Sequence, residues 1–326
     1  MTQPFLKWAG GKQRLLPQIA QLLPRQFSVY HEPFLGGGAM FLHLRGQGLA
    51  IKAQLSDSNA ELINVWQVVQ CEPLTLIVAL RKHDAAHRLN ADYYYRVRAM
   101  RPDETASDGI APQTTQKAAE IGIRHSKQAK NAHRPPQTVQ IKNCRCDVAR
   151  AARTLYLNRT GFNGLYRVNR RGEFNVAKGR YADPNVVNGE GIMAVRPLLK
   201  GAAITCADFR TTLDCANAGD FVYFDPPYIQ TSATARFTGY TPGGFDEADQ
   251  RDLAALCRAL DRRGAQWMVS NADTLLARQL YRGFRFTEIE ARRAINCHAG
   301  KRGCVKEIVV TNYDLAQHNF FEKEKP

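Results

Sequence analysis

The segment Phe221–Tyr228, which reads FVYFDPPY, decides the fold of this chain. Its first four residues are apolar, which predicts the interior of a buried β-strand. Two consecutive prolines cannot continue a hydrogen-bonded ladder, so the chain must leave the sheet directly after Asp225. The carboxylate of Asp225 and the ring of Tyr228 are therefore predicted at the carboxyl end of a strand, where open α/β sheets bind their ligands.

A strand end of this composition can recognise a flat amine. It offers the carboxylate of Asp225, backbone carbonyls at Pro226 and Pro227, and the aromatic face of Tyr228. A planar amine such as adenine can be hydrogen-bonded along its amino edge and stacked on its face by this one element. The alternative is a strand-terminating Pro-Pro turn in which Tyr228 only packs, because short motifs also occur by chance.

A glycine turn near the start of the chain indicates a second ligand contact. Gly36, Gly37 and Gly38 follow Phe34 and an apolar leucine, and glycine lets the backbone approach a ligand closely. A helix that begins near Ala39 would point its free N–H groups at that ligand. The spacing is not the G-x-G-x-x-G of dinucleotide-binding proteins.

A second strand end carries Asp57, about twenty residues further on, where an acid can hold ribose hydroxyls. The alternative role for Asp57 is the N-cap of a helix over Ala60–Val69. The opening block at 7–12, KWAGGK, places two lysines and an indole around a flexible Gly-Gly turn. This block is neither a P-loop nor a signal peptide.

Composition favours a polyanionic partner and excludes several classes. The 326 residues carry a net charge of +15, with a pI near 9.6. No apolar run approaches the roughly 20 residues that span a bilayer, so we expect no membrane association. The eight cysteines have no paired C-x-x-C spacing, which predicts no metal site and the reduced thiols of a cytoplasmic protein.

The middle of the chain has the composition of a DNA-reading region. An amphipathic helix is predicted over 147–158, and 159–180 then carries six basic residues against one acid, with interleaved aromatics. Residues 168–176 read as two short strands around a Gly-containing turn, and a two-stranded ribbon fits the major groove. The residues expected to contact bases or phosphates are Arg159, Asn163, Arg167, Asn169 and Arg171. The alternative is that an arginine contacts only phosphates, which positions the protein on DNA but reads no sequence. We expect this for about half of them.

The last third of the chain is predicted to complete the sheet. A helix is predicted over 246–262 and another over 274–281, with strands over 266–270, 284–290 and 306–312. The irregular stretch 229–245 follows the Pro-Pro turn, which favours a lid that orders when DNA binds. The basic stretch 292–303 is expected to clamp DNA or to close over a cofactor.

The chain resembles the Dam-type (D12 class, alpha group) DNA adenine-N6 methyltransferases, because six sequence blocks match that family and occur in the same order. The resemblance covers almost the whole chain. Its blocks are KWAGGK at 7–12, EPFLGGGAMF at 32–41, LSDSNAELIN at 55–64, LNRTGFNGLYRVNRRGEFNVAKGRY at 157–181, VYFDPPY at 222–228 and SNAD at 270–273.

The resemblance implies an α/β fold: a Rossmann-like S-adenosylmethionine-dependent methyltransferase sheet with an inserted DNA-recognition domain, mainly helical with a β-hairpin. The catalytic domain would comprise 1–69 and 196–326, and the recognition domain 70–195. Within the latter, 101–146 is longer than the usual link and is expected to be a mobile insertion that contacts DNA non-specifically or has no function. S-adenosylmethionine is the implied methyl donor. Its implied contacts are Trp8, Lys12, Phe34, Gly36, Gly37, Gly38, Asp57 and Asp225.

The resemblance also implies the reaction and its substrate. Asp225 and the carbonyl of Pro226 would accept hydrogen bonds from the adenine amine, beside Pro227, while Tyr228 would stack on a base flipped out of the duplex. Transfer would be direct and in line, in a short site of double-stranded DNA, often GATC. The family often has Pro-Phe where this chain has Ala177-Lys178, which leaves the target sequence open.

Alternatives in other classes remain at this stage. They are methylation of cytosine N4 or of RNA adenine, and a DNA-binding relative that has lost catalysis. A cognate restriction endonuclease is a further expected partner, and we expect a monomer located in the cytoplasm with DNA.

Overall fold

The computed structural model describes residues 5–8, 10–49, 51–90, 92–100, 146–169, 171–229, 244–291 and 305–315. Seven strands within these ranges form one sheet. They are β1 (Val29–Glu32), β2 (Lys52–Asp57), β3 (Ala202–Cys206), β4 (Phe221–Phe224), β5 (Gln266–Ala272), β6 (Arg285–Ala291) and β7 (Val305–Thr311).

The sheet has the order β3-β2-β1-β4-β5-β7-β6. The first five strands in this order run parallel, and β7 pairs antiparallel with both β5 and β6. From β1 the chain continues to β2 on one side, whereas β4 lies on the other, with Tyr30 opposite Phe221. The strand order therefore reverses between β1 and β4, and a crevice opens at the carboxyl ends of these two strands. The predicted α/β fold with its Rossmann-like sheet is confirmed.

Helices of very different length connect the strands and cover the sheet. They are α1 (Leu16–Ala20), α2 (Ala39–Gly46), α3 (Ala60–Cys71), α4 (Pro73–Leu89), α5 (Tyr93–Ala99), α6 (Val148–Thr160), α7 (Gly189–Val195), α8 (Thr212–Cys215), α9 (Glu247–Arg263) and α10 (Leu275–Leu280). Within the described ranges no single helix is long and apolar enough to cross a membrane. Only α3 and α4 taken together meet that length and composition test, and they are bent by 119°.

The core lies on both faces of the sheet, as β4 illustrates. All four residues of β4 are buried. Phe221 and Tyr223 pack into the core that includes α2, α3 and α6, while Val222 and Phe224 pack into the core formed with α9. Side chains alternate across a strand, so only a sheet covered on both faces accepts an unbroken apolar run such as this one.

Most predicted elements agree with the structure, and one differs. The β4 bounds are those predicted, α2 begins at Ala39, and α6 covers the predicted amphipathic helix. The 168–176 hairpin forms, but as one isolated bridge between Val168 and Phe174 rather than as two strands. The side-chain oxygen of Asn169 accepts hydrogen bonds from the backbone N–H groups of Arg171 and Glu173. This side chain, rather than a ladder of strand hydrogen bonds, therefore stabilises the turn.

Three predictions fall largely on residues outside the described ranges. They concern the insertion at 101–146, of which only Cys146 is described, the lid at 229–245, and the basic stretch at 292–303.

Candidate active site

A cavity of about 890 Å3 opens at the carboxyl ends of β1, β2 and β4. This volume is within the range of small-molecule sites. Most residues predicted to hold the cofactor, the target base or DNA line it. They are Trp8, Lys12, Phe34, Gly36, Gly37, Gly38, Asp57, Arg159, Asn163, Asp225, Pro226, Pro227 and Tyr228.

The glycine turn after β1 is held by contacts that require glycine. Gly36 and Gly38 have φ angles of +47° and +64°, which favour glycine because it has no Cβ. The Gly38 N–H donates to the Leu35 carbonyl at 2.7 Å, and the Gly36 carbonyl accepts from Trp66 Nε1 at 3.0 Å. A Cβ on Gly38 would lie 2.7 Å from the Trp66 ring. The turn is thereby fixed from beneath, and its other side faces the cavity.

Asp57 links the end of β2 to this turn. Its Oδ2 accepts the Gly36 N–H at 3.0 Å, and its Oδ1 accepts the Asn59 N–H at 3.0 Å. Burial raises the pKa of the Asp57 carboxyl, and these backbone bonds oppose the shift. The N-cap alternative for Asp57 is wrong, because Asn59 caps α3 by accepting the Leu62 N–H.

Asp225 and Lys12 form an ion pair inside the cavity. Lys12 Nζ lies 2.9 Å from Asp225 Oδ1, 3.1 Å from the Gly10 carbonyl and 4.3 Å from the centre of the Tyr228 ring. Burial raises the pKa of the Asp225 carboxyl, and the Lys12 ammonium opposes this shift. The pair shows that a donor entering between this carboxylate and this aromatic face can contact both.

The sequence reasoning missed Glu307, which lies on β7. The Tyr228 hydroxyl donates to Glu307 Oε2 at 2.6 Å, and Glu307 also lines the cavity. Burial raises the pKa of the Tyr228 hydroxyl well above its ordinary value, so the hydroxyl stays protonated and remains a donor. The only signal in the sequence was an acid beside the apolar run of this strand.

Glu32 is a second missed residue, at the end of β1. Its side chain is 3% exposed and accepts from the Tyr30 hydroxyl at 2.8 Å and from the Phe41 N–H at 3.2 Å. Burial raises the pKa of Glu32 to about 8, although both hydrogen bonds favour the ionised form. Glu32 lines the deep part of the cavity wall as a buried residue and ties β1 to the first turn of α2.

Aromatic side chains form two further parts of the cavity wall. Trp8 stacks on Tyr166, with ring centroids 5.3 Å apart and an interplanar angle of 29°. Phe34 stacks on Phe209 at 5.3 Å, and Phe245 meets it edge-on at 5.6 Å. Trp8 and Phe34, the two aromatic residues predicted to contact the cofactor, are thus held in place by packing against other rings of the protein.

Asn158 on α6 joins the opening segment to the recognition loop. Its Oδ1 accepts the Lys7 N–H at 3.0 Å, and its Nδ2 donates to the carbonyls of Lys7 and Gly164 at 2.6 Å and 2.8 Å. The side chain is 3% exposed. The segment that carries Trp8 and Lys12 is therefore bonded to the loop that carries Asn163.

The five residues predicted to contact DNA separate into two groups. Arg159 and Asn163 line the cavity, where the guanidinium of Arg159 donates to the Phe5 carbonyl and burial lowers the pKa of Arg159. Arg167, Asn169 and Arg171 lie in the hairpin. Arg167 and Arg171 are exposed, whereas the amide of Asn169 is engaged within the turn, including a 2.8 Å bond to Glu173.

Comparison with known proteins decides the family. The sequence model described as "D12 class N6 adenine-specific DNA methyltransferase" matches residues 8–295. The chain belongs to this D12 class. It is 38% identical over 313 residues to the Type II methyltransferase M1.LlaDCHI of Lactococcus lactis subsp. cremoris, with 95% of both chains covered. It is 36% identical over 324 residues to the Type II methyltransferase M.MjaIII of Methanocaldococcus jannaschii, covering 96% and 99%.

The DNA adenine methylase of Haemophilus influenzae is a further relative of this D12-class chain. It is 31% identical over 309 residues, covering 94% of this chain and 92% of that protein. The resemblance drawn from the six blocks is confirmed, and adenine methylation of DNA is the activity of the class.

The D12 class implies S-adenosylmethionine as the methyl donor, and the cavity residues fit it. A Cβ on Gly36 would lie 3.0 Å from Trp8 Cδ1, so a side chain there would fill the space between the turn and the indole. Acidic side chains at Asp57, Asp225 and Glu307 line the cavity, and Lys12 pairs with Asp225. Carboxylates suit both ribose hydroxyls and a positively charged sulfonium.

Proposed function

We propose that this protein transfers a methyl group from S-adenosylmethionine to the N6 amine of adenine in a short specific sequence of double-stranded DNA. The observation that carries the proposal is the common cavity: the Asp225–Tyr228 turn, the Gly36–Gly38 turn and Asp57 all line it. One element of this set recognises an amine and the others suit a nucleoside, so donor and acceptor can meet in one space.

The cofactor would be held by the residues named for it in the sequence. Trp8, Phe34 and the Gly36–Gly38 turn supply flat and close-packed surfaces, and Asp57 supplies a carboxylate at a strand end. Lys12 supplies a positive charge that pairs with Asp225. When bound, S-adenosylmethionine supplies an electrophilic methyl group on a sulfonium centre.

The amine would be activated by hydrogen-bond acceptors on the Asp225–Tyr228 turn. An exocyclic adenine amine is a weak nucleophile because its lone pair is delocalised into the ring. Asp225 and the carbonyl of Pro226 would accept its N–H groups and draw the nitrogen toward tetrahedral geometry, so that transfer is direct and in line. Asp225 must be ionised for this role, and Lys12 opposes the effect of burial on its pKa.

The target base would reach this turn by flipping out of the duplex. Extrusion costs a few kcal/mol in lost stacking and pairing. Stacking on the Tyr228 ring, whose orientation Glu307 fixes through the hydroxyl, would offset part of that cost. The prolines at 226 and 227 keep the turn rigid, so little conformational entropy is lost when the base enters.

The recognition domain is proposed to be 70–195, between the catalytic parts 1–69 and 196–326. Arg167 and Arg171, exposed on the hairpin, are the candidates for groove contact, with Asn169 shaping their turn. Arg159 and Asn163 would contact the DNA where it meets the cavity. GATC is the default target, in keeping with the resemblance to Dam-type enzymes.

A cognate restriction endonuclease is the proposed biological partner. Two of the most similar relatives carry the name Type II methyltransferase, and each covers at least 95% of this chain. We propose a monomer that acts on DNA in the cytoplasm, since one flipped base and one cavity suffice for the reaction.

Single-molecule sequencing of DNA from a methylation-deficient host tests the proposal. Cells that express the parent protein should carry N6-methyladenine at one short motif, and cells that express Asp225→Ala should not. Modified cytosine, or modified RNA with unmodified DNA, would replace the proposed substrate. A folded parent protein that binds DNA but leaves all nucleic acid unmodified would refute catalysis.

A further inference from the structure

The Asp225–Tyr228 turn has few backbone donors of its own. Proline has no N–H group, so Pro226 and Pro227 offer none, and the turn begins where β4 ends. A buried carbonyl without a donor is costly, so the carbonyls of this segment need partners from elsewhere in the fold. Contacts from elsewhere in the fold therefore help to fix its conformation and the place of the Tyr228 ring.

Two buried side-chain amides supply this fixation. Gln250 on α9 is 3% exposed and donates from Nε2 to the Pro227 carbonyl at 2.8 Å. Asn271 on β5 is fully buried and donates from Nδ2 to Gln250 Oε1 at 3.1 Å. The Oδ1 of Asn271 accepts the N–H of Ile229 at 3.2 Å. The two amides thus form a relay that begins at Pro227 and returns to the chain at Ile229.

The direction of this relay is set by its two ends. A carbonyl at Pro227 accepts only, and an N–H at Ile229 donates only. Gln250 must therefore present nitrogen to Pro227 and oxygen to Asn271, and Asn271 must present oxygen to Ile229. Reversal of either amide would set two donors or two acceptors against each other, so the relay has one satisfied arrangement.

We propose that Gln250 and Asn271 are positioning residues for the methyl transfer, a role that rests on the proposed function. Neither residue is among those that line the cavity, so both act through the turn. They hold the peptide between Pro227 and Ile229, which carries the Tyr228 ring and adjoins the Pro226 carbonyl. A displacement of roughly 1 Å at a reacting group can cost about 100-fold in rate.

Two substitutions at Gln250 separate this role from simple support of the fold. Gln250→Met keeps the volume but removes the donor, so kcat should fall about 10- to 100-fold at every pH. Gln250→Glu keeps the shape and donates only while its carboxyl is protonated. Burial favours the protonated carboxyl at this position, so the ratio of this variant's kcat to that of the parent at the same pH should be highest at pH 6 and decline as the pH rises.

Gln67→Glu is the matched control. Gln67 on α3 also donates from Nε2 to a backbone carbonyl, that of Ile204 on the edge strand β3, at 2.8 Å. This variant should also lose stability, but its kcat relative to the parent should not decline with pH. The affinity of each folded variant for S-adenosylmethionine should stay within about threefold of the parent, because the Gly36–Gly38 turn and Asp57 are unchanged.

The measurements are kcat on a DNA duplex, cofactor affinity by calorimetry, and melting temperature, each for parent and variants from pH 6 to 9. The positioning role would be overturned if Gln250→Met had the same kcat as the parent, or if the ratio of the Gln250→Glu kcat to the parent kcat did not change with pH. In either case the activity of the parent would still support the proposed function. Parent protein without methyl transfer would overturn both. A reduction in kcat that follows only the folded fraction would reduce Gln250 to a structural residue.

Discussion

Replacing Gly38 by alanine should destabilise the fold by a predictable amount. Gly38 has a φ angle of +64°, and an added Cβ would lie 2.7 and 2.8 Å from two Trp66 ring atoms. The Trp66 ring is fully buried and is held by its bond to the Gly36 carbonyl and by edge contact with Phe5 at 4.8 Å. Because the ring is buried and held at these two contacts, relief of the clash should distort the turn.

The magnitude follows from two contributions. A left-handed backbone costs alanine about 1 to 2 kcal/mol, and overpacking a well-filled core costs about 1 to 3 kcal/mol. Gly38→Ala should therefore lower the free energy of unfolding by about 2 to 5 kcal/mol. Gly48→Ala is the matched control: Gly48 has a φ angle of +80° with no neighbouring atom within 4 Å, so only the backbone contribution applies.

Urea unfolding followed by tryptophan fluorescence measures both variants against the parent. Gly38→Ala should be less stable than Gly48→Ala by the overpacking contribution, about 1 to 3 kcal/mol. Where it remains folded, it should also bind S-adenosylmethionine more weakly, whereas Gly48→Ala should bind it as the parent does. Equal stability of the two variants would refute the argument that Trp66 fixes the turn.

Three further predictions concern the charged groups of the site. Burial raises the pKa of Glu32 to about 8 in the folded state, so folded Glu32 stays protonated at pH values where the unfolded chain ionises it. The free energy of unfolding of the parent should therefore fall by up to about 5 kcal/mol as the pH rises from 4.5 to 8. Glu32→Gln should remove this loss, and parallel curves of unfolding free energy against pH would contradict the prediction. Tyr228→Phe and Glu307→Met each remove the same hydrogen bond, so their effects on kcat should overlap by about 1 to 3 kcal/mol in the double variant, and full additivity would disprove the coupling. Lys12→Gln removes the ammonium that opposes the raised pKa of Asp225, so the acid limb of kcat at saturating cofactor should move to higher pH; an unmoved limb would show that Lys12 does not act on Asp225.

The parts of the site that the sequence predicted depend on local signals. An apolar run closed by two prolines defines β4 and its end, and three glycines before an apolar stretch define the turn before α2. Each of these signals lies within ten residues of the feature it predicts. The carboxyl ends of parallel strands meet at one edge, so the two local predictions also imply one shared site.

The parts that the sequence did not predict depend on contacts between distant segments. Glu307 meets Tyr228 only because β7 pairs with β5, and Gln250 meets Asn271 only because α9 packs on the sheet. The periodicity of a helix or strand can show that such a residue lies on its buried side. It does not show which distant segment the residue contacts. Asp57 was ambiguous for a related reason, since Asn59 has the same capping chemistry two residues later.

Helix phase accounts for the position of Arg159. The basic count across 159–180 treats all arginines as equivalent, yet α6 turns Arg159 inward to the Phe5 carbonyl while the hairpin leaves Arg167 and Arg171 exposed. Composition gives the charge of a segment, whereas the direction of each side chain depends on the element that carries it.

The paired prolines also limit how motion of the catalytic turn can be observed. Pro226 and Pro227 carry no amide hydrogen, so amide exchange with deuterated solvent reports nothing at these two positions. The first amide after Tyr228 is that of Ile229, whose hydrogen is bonded to Asn271 Oδ1. Protection at Ile229 therefore reports whether the end of the turn stays bonded to Asn271, and this amide can serve as a probe of that contact with and without DNA.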